Sequence, residues 1–118
     1  MKKLNFHFFT LALGMVLWGQ AQAAINCETA FGEKSFLIED ERVVFHQENH
    51  DLGRSISSVD HVRTERRHKG FDKVLYKDGL KHRIHIEHAS SFNDADDYMV
   101  ITSPKGHEMT YPLSCRKS

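Results

Sequence analysis

The chain has 118 residues, with 16 Lys and Arg against 16 Asp and Glu, nine His and two Cys. That length allows one small domain with a single core and excludes two. A formal net charge of zero gives no bulk attraction to nucleic acid.

Met1, Lys2 and Lys3 form a basic start, Leu4 to Gly19 is apolar, and Ala21-Gln22-Ala23 is a small-x-small cleavage signal. Residues 1–23 therefore read as a signal peptide, which predicts a periplasmic or secreted product. The apolar run is interrupted by Asn5 and His7 and ends at the cleavage signal, so no transmembrane segment is expected in the mature chain. Residues 24–118, about 95 in all, then make one β domain. Cys27 and Cys115 lie near its two ends, and in an oxidising compartment they are most simply a disulfide tying those ends together. Closing so long a loop is worth roughly 4 to 5 kcal/mol in the chain-entropy treatment.

Turn residues punctuate the mature chain at short intervals: Gly32, Asp40-Glu41, 49–53, Lys69-Gly70, Asp78-Gly79, Asn93-Asp94 and Pro104-Lys105-Gly106. Between them, 34–39, 42–47, 55–65, 71–77, 80–88, 98–103 and 108–113 are rich in β-branched and aromatic residues. With a short segment around Cys27 they predict about eight strands, in an all-β up-and-down antiparallel barrel or sandwich with at most a turn of helix.

Two hairpins can be read residue by residue. A two-residue turn at Asp40-Glu41 sets Glu39 opposite Arg42, Ile38 opposite Val43 and Phe36 opposite Phe45, which gathers apolar side chains on one face. Asp78-Gly79 suits a type I′ turn, because Asp tolerates and Gly freely accepts positive φ. It sets Leu75 opposite His82, Lys73 opposite Ile84 and Phe71 opposite Ile86 on the core side. Val74 then faces Arg83 and Asp72 faces His85 on the other side, and Lys73 is left on the core face with only its long stem to relieve it.

The stretch "HRIHIEH", 82–88, packs three histidines into seven positions, but strand alternation divides them. His82 and His88 share the core side roughly 20 Å apart, too far to bind one ion. On the other side His85 and Glu87 sit together with Asp72 across the hairpin, a set that could hold a divalent metal or let His85 act as a general base. No zinc spacing, nucleophile motif or nucleotide loop accompanies them, and the acidic loop of Asn93, Asp94, Asp96 and Asp97 lacks the glycine and terminal glutamate of an EF-hand. The expectation is a protein that is not an enzyme and carries no cofactor.

Charge is uneven along the chain. Residues 63–83 carry eight Lys or Arg against three acids, whereas 24–62 carry three against eight. A basic hairpin region formed by Arg63, Arg66, Arg67, Lys69, Lys73, Lys81 and Arg83 could dock an anionic envelope component or an acidic protein surface. It lacks the interleaved aromatics of a nucleic-acid surface. Eight histidines in the mature part would also make net charge respond to mild acid.

In its leader, its size, its strand-rich pattern and the positions of Cys27 and Cys115, the chain resembles small secreted bacterial β-barrels such as the inhibitors of C-type lysozyme. That resemblance implies inhibition of a secreted enzyme as an alternative function. The family's Ser-Gly-x-x-Tyr loop has no match here, and Asp51-Leu52-Gly53-Arg54-Ser55, the nearest glycine loop, lacks the tyrosine. The leading expectation is a non-enzymatic binding protein of the cell envelope, with enzyme inhibition and metal binding through Asp72, His85 and Glu87 as alternatives.

Overall fold

A computed structural model describes residues 24–49 and 53–118. Residues 1–23, where a signal peptide is expected, and residues 50–52 lie outside the described residues. Segments rich in β-branched and aromatic residues form most of the strands, and nine result: β1 (Ile25–Thr29), β2 (Ser35–Ile38), β3 (Val43–Asn49), β4 (Gly53–Val59), β5 (Arg63–Arg66), β6 (Phe71–Lys77), β7 (Leu80–Ile86), β8 (Tyr98–Thr102) and β9 (Glu108–Lys117). A 3-10 turn at Ala30–Gly32 is the only helical element among the described residues, none of which forms a helix long and apolar enough to cross a membrane.

The strands form one curled antiparallel sheet in the order β4-β3-β2-β1-β9-β8-β7-β6-β5. Sequence neighbours pair throughout, with two exceptions: β1 pairs with β9, and β4 does not pair with β5. Every step across the sheet reverses direction, so the two edge strands β4 and β5 run the same way. Only Asp60, His61 and Val62 join them. The segment 53–66 is therefore one bent path whose first half pairs with β3 and whose second half pairs with β6. A single strand over 55–65 is thus broken at its middle, where His61 takes a φ of 56° and Val62 turns inward, 7% exposed. The Val62 N–H donates to the Glu41 carbonyl at 2.9 Å, which draws the bend against the β2-β3 turn. This bend accounts for nine strands where the sequence pattern counts about eight, and the curled single sheet replaces the two-layer sandwich alternative.

Both hairpin registers are as the sequence implies. Ile38 faces Val43 and Phe36 faces Phe45, and Arg42 binds Glu39 at 2.9 Å beside the turn. In the second hairpin Leu75 faces His82, Lys73 faces Ile84, Phe71 faces Ile86, Val74 faces Arg83 and Asp72 faces His85. Asp78 and Gly79 take φ values of 55° and 78°, the left-handed pair that this turn needs.

The concave face holds the core: Phe36, Ile38, Val43, Phe45, Val62, Leu75, Ile84, Ile86, Met99 and Leu113 are all buried. Phe36 and Phe45 pack with ring centroids 5.6 Å apart. Cys27 stands directly opposite Cys115 on β1 and β9, with Cα atoms 4.1 Å apart, and the two form a disulfide. That pairing extends β9 to Lys117, four residues beyond the Leu113 end read from the pattern. At the other margin β7 stops at Ile86, because the Glu87 N–H turns to the Asp97 carboxylate at 3.0 Å.

Candidate functional site

The outer face of the β5-β6-β7 sheet carries a chain of charges centred on Asp72. Strand alternation puts Asp72 outward, yet its neighbours cover it to 6% exposure. The β5-β6 register places Glu65 opposite Asp72, and the β6-β7 register places His85 opposite it on the other side. One Asp72 oxygen accepts from Arg83 at 2.7 Å, and the other accepts from Arg67 and contacts His85 Nδ1 at 2.9 Å. Arg83 also donates to Glu65 at 2.8 Å, Glu65 binds Arg63 at 3.0 Å, and Arg67 reaches the Ile86 carbonyl at 3.1 Å. Burial raises the Asp72 pKa, but the hydrogen bonds from Arg67, Arg83 and His85 outweigh it and hold the carboxyl below its ordinary value. The Glu65 carboxyl is lowered by its hydrogen bond from Arg83, and the Arg83 guanidinium is raised by Glu65 in return.

His85 sits between two carboxylates. Its Nε2 lies 2.7 Å from Glu87, opposite the Nδ1 contact to Asp72, and its ring stacks on Tyr98 with centroids 4.5 Å apart. The hydrogen bond to His85 lowers the Glu87 carboxyl. A neutral imidazole supplies one N–H to these two acceptors, and an imidazolium supplies two. The structure therefore brings Asp72, His85 and Glu87 together, as the register implies, but the two ring nitrogens aim in opposite directions, each at its own carboxylate. The three do not converge on a point that an ion could occupy, and no group of His, Cys, Asp and Glu among the described residues is arranged to hold a metal.

The acidic loop is likewise used internally. Asp97 is 2% exposed, and its carboxylate accepts from the backbone N–H groups of Glu87 and Asn93, at 3.0 and 3.1 Å. Asn93 Oδ1 accepts from the Ala95 N–H at 2.9 Å, closing the turn.

The seven basic residues of the central region fall into three groups. Arg63, Arg67 and Arg83 are paired with Glu65 and Asp72 in the outer network. Lys73 lies inside the curl, 4% exposed. Arg66, Lys69 and Lys81 are held by no carboxylate among the described residues, and Arg66 and Lys69 are exposed. Arg66 to Lys69, which reads Arg-Arg-His-Lys, is exposed at all four positions and forms the β5-β6 turn. The Arg67 N–H donates to the Gly70 carbonyl at 2.9 Å to close it, and Ala89 donates to the Lys69 carbonyl at 2.8 Å. Gly70 permits this turn to lie flat on the end of β7, since a Cβ there would collide with the backbone carbonyls of Ile86 and Glu87.

Inside the curl, Lys73 reaches past Phe71 toward the β2-β3 turn. Its Nζ donates to the Asp40 carbonyl at 2.5 Å and to Thr64 Oγ1 at 2.6 Å. Burial lowers its pKa below the ordinary lysine value. It borders an open cavity of about 520 Å³ at that end of the sheet. His82, also inside, contacts the Leu80 carbonyl through Nδ1 at 3.1 Å and meets Phe45 edge-on, and burial lowers its pKa from 6.5.

No family model, curated protein or solved structure matches this chain. The geometry of the chain itself is what bears on function.

Proposed function

We propose that this is a small periplasmic or secreted binding protein that docks an anionic envelope component or acidic protein surface and performs no catalysis. The exposed Arg66-Arg67-His68-Lys69 turn carries this reading. Its partner-facing charge is smaller than the count of bases in 63–83 suggests, because Glu65 and Asp72 neutralise the arginines beside it. What projects is a compact cationic tip fixed to the sheet by Gly70 and by hydrogen bonds at Arg67 and Lys69. Such a tip gives salt-sensitive attachment, because exposed charges are screened within about 10 Å at moderate ionic strength.

The test is a pull-down from envelope extract with the oxidised domain, across a salt series, beside the double variant Arg66→Glu/Lys69→Glu. Both substitutions avoid the Asp72 network. The expected result is capture that salt releases and the variant loses. At about 1 kcal/mol per base near an anionic surface, losing the two positive charges alone weakens attachment roughly thirtyfold, and the two added carboxylates weaken it further. Capture indifferent to salt and to both substitutions overturns the reading.

A further inference from the structure

The interior of a small curled sheet is an unfavourable place for an ammonium group. Lys73 is nonetheless on the inner face of β6, 4% exposed, between Phe71 and Leu75 in sequence and opposite Ile84. Moving an ammonium out of water costs several kcal/mol even after relaxation, unless hydrogen bonds and a counter-charge replace the solvent. Here the hydrogen bonds are only two, to the Asp40 carbonyl and the Thr64 hydroxyl, and both acceptors are neutral. No carboxylate lies within ion-pair distance of Nζ among the described residues. An ammonium has three N–H donors, so one remains for another partner.

That remaining capacity borders a cavity of about 520 Å³, within the usual range for small-molecule sites. Its wall divides by chemistry. Ile25, Ile38 and Phe71 supply apolar surface, while Thr64, Arg66 and Lys73 supply donors along the β5-β6 side. Glu39, Asp40, Glu41 and Arg42 form the remaining rim, and Glu39 is already tied to Arg42. Asp40 and Glu41 act on Lys73 only from beyond ion-pair distance, and the acids on this rim resist a multiply charged anion, whereas one negative charge is matched by an ammonium that has no direct ion pair.

We propose that this cavity is a binding site for a small amphipathic monocarboxylate, whose carboxylate pairs with Lys73 and whose hydrocarbon part lies on Ile25, Ile38 and Phe71. A carboxylate there completes the third hydrogen bond of Nζ and provides the direct ion pair that Asp40 and Glu41, acting from a distance, do not. Arg66, at the mouth, draws the anion in. The site adjoins the docking tip and shares Arg66 with it.

The probe is octanoate, with octanol as the uncharged control and octyl phosphate as the more highly charged one, followed by NMR on the oxidised domain. Octanoate is expected to shift the signals of Lys73, Phe71 and Ile38 in a saturable way, with octanol and octyl phosphate at least tenfold weaker. Lys73→Met, which keeps the side-chain length and removes the charge, is expected to abolish the preference for octanoate over octanol. Lys69→Glu distinguishes the two proposals, since it weakens envelope capture and leaves octanoate binding unchanged. No saturable shift in the unsubstituted protein, equal binding of octanoate and octanol, or an undiminished preference in Lys73→Met would each overturn the assignment. The first two outcomes need no variant, so a folding defect in Lys73→Met leaves the proposal testable.

Discussion

The two faces of the β6-β7 hairpin handle charge in opposite ways. On the outer face Asp72 is surrounded by Arg67, Arg83 and His85, so a covered carboxylate has more cationic and donor partners than it strictly needs. One residue along, on the inner face, Lys73 hydrogen-bonds only to neutral oxygens and lies over the Phe71 ring, with the Asp40 and Glu41 carboxylates beyond ion-pair distance. Removing one member of a buried charge network leaves its partners unpaired and is costly, whereas removing a buried charge that has no direct ion pair can be neutral or stabilising. Adjacent residues on one strand should therefore respond to substitution with different sign and size.

The largest effect is expected for Asp72→Ala. It strands Arg67, Arg83 and His85 without their shared acceptor, and since those bases are partly solvated the cost is about 2 to 3 kcal/mol rather than the full penalty of a dry ion pair. Urea unfolding of the oxidised protein measures it, and a loss under about half a kcal/mol would show the outer network to be ornamental.

The next effect separates the faces by pH. His82 is held neutral by burial, with its folded pKa below the 6.5 of the unfolded chain. As pH falls below 6.5 the unfolded chain takes up a proton that the folded one refuses, so this contribution, fully present above 6.5, is lost in mild acid. Asp72 also has a lowered folded pKa, but its unfolded value is 3.8, so its contribution is lost only below that value. Melting temperature against pH should therefore fall in two stages. His82→Phe should flatten the upper stage, and Asp72→Ala the lower one. A profile that stays level from pH 7 to 5 in the unsubstituted protein contradicts the first assignment.

The smallest effect is expected for Lys73→Met, within about 1 kcal/mol of the unsubstituted protein and on the stabilising side, because an apolar side chain of similar length replaces a buried ammonium that has no direct ion pair. Thermal unfolding checks this. A loss approaching that of Asp72→Ala would mean that the bonds to Asp40 and Thr64 hold the open end of the sheet together.

Much of this contrast is legible in the sequence because a tight turn fixes register. Asp78-Gly79 allows only one pairing of β6 with β7, and that pairing alone puts Asp72 beside His85 and Lys73 on the core side. Partners across longer connections are not so constrained. Tyr98 arrives under His85 only after the loop 87–97, whose course depends on the buried Asp97. Glu65 meets Asp72 only because 53–66 bends at His61 and changes neighbours, and the absence of glycine or proline from 55–65 hides that bend. The basic count in 63–83 misleads for a related reason, since pairing of Arg63, Arg67 and Arg83 depends on contacts between strands that a linear tally omits. Gly70 is visible as a turn residue, but its role in letting the turn rest on Ile86 and Glu87 is a matter of packing.

The pairing of β1 with β9 has a bearing on how the chain assembles. Every other ladder joins strands adjacent in sequence, whereas Cys27 and Cys115 are 88 residues apart. The two meanders, β1 to β4 and β5 to β9, can each zip locally, and the costly loop closure is concentrated in one junction that forms once both are in place. Because the cysteines face each other only in that junction's register, oxidation acts as a latch on a completed search. The yield of the Cys27–Cys115 bond during refolding is thus a direct count of molecules that have joined their two halves.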